Sequence, residues 1–165
     1  MPSATPTRAK TTDAMSLNLK NYTSSTPAHQ TISFIEAYLA SAGVSGISKQ
    51  YENGQPVAIF FHIEMPPNRY TIRLPARIAA VHDYLWNEYV TKAKRPRLTK
   101  GDFLDQASRT AWKIQQDWVQ VQISLIKLKQ ADFLEVFMGY LWDGKQSYYQ
   151  AMEISKFKQL PQFTQ

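Results

Sequence analysis

Three histidines, at positions 29, 62 and 82, are the first residues that could do chemistry. None stands in an H-x3-H or HExxH spacing, so a helix-borne metal site has no motif to rest on. His82 and Asp83 are adjacent, and adjacent helix residues do not share a face. Cysteine is absent, which excludes a disulfide scaffold, a thiol nucleophile, an iron–sulfur cluster and a thiolate zinc site. No Gly-x-Ser-x-Gly elbow presents a serine nucleophile, and the six glycines are too scattered for a phosphate-cradling loop. The carboxylates form no evident acid–base pair: Glu52 lies by a turn and Glu64 at a strand end. The expectation is a protein with no catalytic residue, no metal and no cofactor. An enzyme with a dispersed site is the alternative that leaves no motif.

The cations carry more information. The 165 residues have a formal net charge of +6 and a pI near 9.5. Lys92, Lys94, Arg95, Arg97 and Lys100 fall within nine residues that contain no acid, leaving about +1 for the remainder. Such a cluster releases counterions from a polyanion and gives salt-sensitive binding. Pro96 holds the segment semi-extended. The bland alternative is a solvated loop whose cations offset a helix C-terminal dipole.

The elements that must position these residues follow from pattern. Residues 1–16 are rich in Pro, Ser, Thr and Ala and read as a tail, without the apolar core of a secretory signal. Arg8 and Lys10 match a transit peptide only thinly, and Met15 is a possible second start. Leu17, Leu19 and Tyr22-Thr23 suggest a short strand by alternation. Thr26-Pro27 reads as N-cap and N1 of a helix over about 27–42, with Gly43 as its left-handed stop. Asn53-Gly54 supplies the two positive-φ positions of a type I′ turn between strands at 46–51 and 56–64. Pro66-Pro67 forces the next turn, and Arg69–Leu74 alternates as a third strand. Ile78, Val81, Leu85 and Tyr89 make a helical stripe, and Thr99–Asp102 resembles a capping box before a long helix over about 100–128. Its buried face is expected to be Phe103, Ala107, Ala111, Ile114, Trp118, Val121 and Leu125, with Asp105/Arg109 and Lys113/Asp117 paired on the surface. Phe133–Trp142 reads as helical, Tyr148–Phe157 as a further short helix, and 159–165 as frayed.

The fold class is therefore α+β: a small antiparallel sheet in the order β-α-β-β-β, packed with a C-terminal helical section that contains one long helix. A single domain over 17–158 suits this length, and no apolar run reaches membrane-spanning length.

Several blocks also resemble one another's company elsewhere. Asn21-Tyr22-Thr23, Pro27-Ala28, Arg73-Leu74-Pro75-Ala76, Arg109-Thr110-Ala111-Trp112, Asp117-Trp118 and Glu135-Val136-Phe137 together resemble a family of small proteins encoded by phages, prophages and other mobile elements. The likeness covers most of residues 20–142. It departs at Arg77, where Asn is expected, and at Gly139, where Pro is common. The resemblance implies such an origin and the cytoplasm of a bacterial host. It assigns no activity and no catalytic residue.

Two surfaces accompany the basic segment. If Val57, Ile59, Phe61 and Ile63 face inward, Phe60 and His62 face outward beside Arg69, Thr71 and Arg73. Aromatic and guanidinium groups on an open sheet suit single-stranded nucleic acid, whose bases stack while its phosphates pair. The alternative is that the long helix covers this face and Phe60 is core. Trp112, Tyr140, Trp142, Tyr148 and Tyr149 add aromatic surface of the kind found at protein contacts or a dimer seam; ordinary core is the alternative. The expected function is a non-catalytic nucleic-acid-binding accessory protein, contacting its ligand through Lys92, Lys94, Arg95, Arg97, Lys100, Arg69, Arg73, Phe60 and His62. DNA or RNA, single or double strand, stays open, and no exposed Arg/Asn/Gln stripe predicts base readout. The alternative from another class is a protein-interaction module, a subunit or inhibitor of a nucleoprotein complex.

Overall fold

The computed structural model describes residues 19–161. The expected tail at 1–16 and Leu17 lie outside the described residues. The chain forms α1 (Ala28–Ser41), β1 (Ser45–Glu52), β2 (Gln55–Met65), β3 (Asn68–Pro75), α2 (Ile78–Lys92), α3 (Leu104–Lys127), α4 (Phe133–Phe137) and α5 (Tyr148–Ile154). A 3-10 turn, Lys100–Phe103, leads into α3, and another, Met138–Tyr140, follows α4. This is α+β, with a three-stranded antiparallel sheet in the order β1-β2-β3.

The turn residues act as their chemistry demands. Asn53 and Gly54 have φ of 49° and 76°, which closes the β1–β2 hairpin with Glu52 opposite Gln55. Gly43, at φ 86°, ends α1 while Val44 N–H reaches back to the Leu39 carbonyl at 3.2 Å. The β2–β3 register sets Phe61 opposite Ile72 and Ile59 opposite Leu74, so these side chains share the inner face. They are buried with Ile32, Ile35 and Leu39 of α1, Trp112, Val119 and Ile123 of α3, and Phe137 of α4.

Five expectations need correction. Residues 20–23 form a turn rather than a strand, with Asn21 at φ 61°, so the order begins with α1. Pro27 itself is the N-cap of α1, and Thr26 does not cap it. Leu141 and Trp142 are extended, not helical. Leu141 bridges Ile72, and Trp142 N–H donates to the Thr71 carbonyl at 2.8 Å, adding a fragment of strand beside β3. The expected fraying begins too early, because hydrogen-bonded turns run through Leu160.

The largest correction is the face of α3. Its buried residues are Ala107, Ser108, Thr110, Ala111, Trp112, Gln116, Val119 and Ile123, while Val121 is 56% exposed. The stripe is rotated from the expected one because polar Ser108 and Gln116 interrupt it in the sequence. Trp118 serves a neighbouring face, against Phe137 at 5.5 Å and Tyr140 at 5.6 Å. Trp112 is wholly buried, and its indole N–H donates to the Pro56 carbonyl at 3.1 Å.

Two outcomes follow from this packing. Trp112→Ala is expected to cost about 3–5 kcal/mol in urea unfolding, because it opens a large cavity and orphans a carbonyl. Arg77 precedes α2 at φ 54° and ψ 43°, a conformation asparagine tolerates better than arginine. Arg77→Asn is therefore expected to raise stability by a few tenths to about 1 kcal/mol in the same measurement.

Candidate nucleic-acid interface

The outer sheet face is built from residues opposite one another in register. Phe60 lies opposite Arg73 and His62 opposite Thr71. On the other side of β2, Ser48 and Gln50 of β1 pair with Phe60 and Ala58. Ile32, Ile35 and Leu39 of α1, Ala111, Trp112, Val119 and Ile123 of α3, and Phe137 of α4 belong to the cluster on the inner face, so the long helix is not what covers Phe60. The Phe60 ring instead meets Trp142, which the extended 141–142 fragment swings onto this face with the ring centroids 6.2 Å apart.

Arg73 is the centre of the arrangement. Its guanidinium carbon lies 5.1 Å from the Trp142 ring centroid and 5.9 Å from that of Phe60. Its Nε donates to Gln50 Oε1 at 3.1 Å. The head group is thus oriented by two rings and one amide, while its terminal nitrogens take no hydrogen-bond partner among the described residues. A guanidinium held this way offers donors to a phosphate and a flat surface to a base. It opens onto a cleft of about 600 Å³ shared with Arg77, Tyr140, Tyr149 and Glu153.

The other sheet residues are more occupied. His62 Nδ1 is 3.1 Å from Thr71 Oγ1, and the ring lies close against Gly46, where an added Cβ would come within 2.2 Å of it. Arg69 pairs with Glu64 at 2.5 Å across the strands.

The basic segment divides in two. Lys92 pairs with Glu88 at 2.5 Å, and Lys100 pairs with Asp83. The ion pair with Lys100 holds the Asp83 carboxylate below its usual pKa, and the pair with Glu88 raises that of Lys92. Lys94, Arg95 and Arg97 make no ion pair among the described residues. Their backbone is pinned where Arg97 and Leu98 N–H groups donate to the Tyr89 hydroxyl at 2.8 and 3.1 Å. Tyr89 is in turn packed by Phe103 at 5.1 Å and Trp86 at 5.9 Å. The structure does not bring this loop to the Arg73 cleft. The fifteen residues of α2 stand between β3 and the loop, about 22 Å of helix.

The aromatic residues also separate. Trp112 is inside and offers a partner no surface, and Tyr140 packs on Trp118. Tyr148 and Tyr149 are exposed, the latter beside Phe157 at 5.7 Å.

The blocks around Arg109-Thr110-Ala111-Trp112 and Asp117 turn out to fasten the chain entry. Arg109 Nε donates to the Ser24 carbonyl at 3.1 Å and Thr110 Oγ1 to that of Asn21 at 3.0 Å. Gln106 Nε2 donates to the Tyr22 and Ser24 carbonyls at 3.0 and 3.1 Å. Arg109 also pairs with Asp105, as its spacing predicts. Asp117 instead accepts from Asn21 Nδ2 at 2.9 Å and pairs with Lys20 at 3.1 Å, so the expected Lys113–Asp117 bridge is replaced by Lys113 donating to Gln116 at 3.0 Å. Sequence reasoning missed this clamp, as well as the Gln50–Arg73–Trp142 stack. Both join residues far apart in the chain, and neither has a local signal.

Among the described residues no group of three His, Cys, Asp or Glu is placed to hold a metal, and no helix is long and apolar enough to cross a membrane. No protein-family model, no curated protein and no solved structure matches this chain.

The clamp has a pH signature. Burial pushes the Asp117 pKa up, but hydrogen bonds from Asn21 and Lys20 and the charges of Lys20 and Lys113 outweigh it and leave the pKa lowered. A lowered folded pKa contributes stability above the unfolded value, and that contribution fades as pH falls through the folded one. Asp117→Asn is expected to cost about 1 kcal/mol at neutral pH. The gap to wild type in denaturant titrations should close as the solution is acidified below the ordinary aspartate range.

Proposed function

We propose that this protein is a non-catalytic nucleic-acid-binding accessory protein, of the kind a phage or mobile element encodes, and that its ligand is single-stranded. The observation that carries the reading is Arg73, stacked by Phe60 and Trp142 and tethered by Gln50, half-exposed on the outer sheet face with its terminal nitrogens unpartnered among the described residues. Base stacking is sequence-tolerant and strongest on flat groups, and a neighbouring guanidinium supplies the phosphate contact. Arg77 shares the cleft and can take a second phosphate. Lys94, Arg95 and Arg97 supply a separate, sequence-independent attraction. With Lys92 and Lys100 already paired, the loop brings three cations rather than five. Its role is therefore secondary to the cleft.

A second reading rests on α5. Tyr149 is 54% exposed and Ile154 74%, with Tyr148 beside them, an apolar surface suited to a protein partner or a second copy. A stoichiometric partner recovered from the host regardless of nuclease treatment favours that reading.

Fluorescence polarisation on labelled single-stranded DNA, single-stranded RNA and duplex, at two salt concentrations, tests the first. Arg73→Ala or Trp142→Ala is expected to weaken single-strand binding by about 1–3 kcal/mol. The Lys94/Arg95/Arg97→Ala triple variant is expected to lower the salt slope by about 2. No binding at low salt, or binding indifferent to Arg73 and Trp142, contradicts the proposal.

A further inference from the structure

A second cleft, of about 530 Å³, opens between the start of α1, the β1–β2 hairpin and the start of α3. Two independent features meet there. The amides of Ala28 and His29 begin α1 and have no acceptor earlier in the helix. No side chain caps that end, and no acid stands in the first turn. Ser108 borders the same cleft from α3. It is 2% exposed, and its hydroxyl has no hydrogen-bond partner among the described residues. A buried donor left without an acceptor is costly, and the positive end of a helix favours negative charge.

One ligand chemistry answers both. An oxyanion seated in this cleft would accept from the two amides and from the Ser108 hydroxyl. The carboxylates near the cleft are already matched. Asp105 pairs with Arg109, and Glu36 pairs with Lys49 at 2.9 Å. Tyr51, 58% exposed, stands on the hairpin at the rim, where its ring can take a base.

We propose that this cleft binds a phosphomonoester, with the phosphate at the α1 N-terminus and Ser108 and a nucleobase against Tyr51. The site is independent of the Arg73 face. Its phosphate can belong to a free mononucleotide or to the 5′ end of a strand.

Amide chemical shifts of Ala28 and His29 in the full chain provide the test, with titrations of inorganic phosphate, adenosine 5′-monophosphate and adenosine. Saturable shifts with phosphate and the monophosphate, but not with adenosine, are expected. Ser108→Ala is expected to weaken both anions about tenfold. Tyr51→Ala should weaken the monophosphate and leave inorganic phosphate unchanged. A short oligonucleotide with and without a 5′-phosphate separates the two sources: a response only to the phosphorylated strand indicates a strand end, and a response only to the monophosphate indicates a free nucleotide. Arg73→Ala should leave all these shifts intact, so failure of this site and failure of the sheet-face reading are told apart. Absence of saturation with both phosphate and the monophosphate in the wild-type protein overturns the proposal. So does a folded Ser108→Ala variant with unchanged affinity.

Discussion

Trp112 must be enclosed on every side, and the arrangement of the other elements follows from that. Its ring lies in one buried cluster with Ile32 and Ile35 of α1 and Ile59 and Leu74 of the sheet, and its single polar atom is satisfied by the Pro56 carbonyl. Burying so large a ring supplies much of the core's apolar area. Its hydrogen bond also fixes α3 against the start of β2. With α3 rotated to present Trp112, Gln106, Arg109, Thr110 and Asp117 come to lie along the chain entry, where they hold residues 20–24. The Arg109–Trp112 block and Asp117 are thus accounted for by folding.

That assignment leaves function to the surfaces the clamp does not use. The inner sheet face is consumed by α1, α3 and α4. The outer face keeps a row of mixed aromatic and polar residues, over which the short 141–142 fragment is laid. This fragment matters because alternation sends Leu141 to the core and Trp142 to the outside. The same two residues therefore close the sheet edge and build the ring that stacks Arg73. The charge excess divides similarly. Two cations of the basic segment stabilise α2 and the turn after it through Glu88 and Asp83, and three remain for a ligand.

Much of the fold was legible because it is local. Asn53-Gly54, Pro66-Pro67 and Gly43 each impose a backbone conformation on their own neighbours, and β2 and β3 alternate cleanly. The α3 face was not legible, since apolar residues lie on more than one side of that helix and polar Ser108 and Gln116 sit in the buried stripe. The turn at 20–23 reads as a strand because Leu17, Leu19 and Tyr22-Thr23 suggest alternation, whereas its conformation is set by Asn21 and by side chains some ninety residues away. Of the candidate site, Phe60, His62, Arg69 and Arg73 could be placed on one face by counting along strands. That Arg73 is stacked and Arg69 neutralised depends on partners no spacing announces.

The four tryptophans allow the division between structural and binding residues to be read in one experiment. Titrating a single-stranded oligonucleotide into the labelled protein and following the indole N–H signals assigns each ring a response. Movement of the Trp142 signal, with Trp112 unmoved, is the result expected if the outer sheet face binds the strand and the α3 cluster only holds the fold. A Trp142 signal that stays fixed while the protein binds contradicts it.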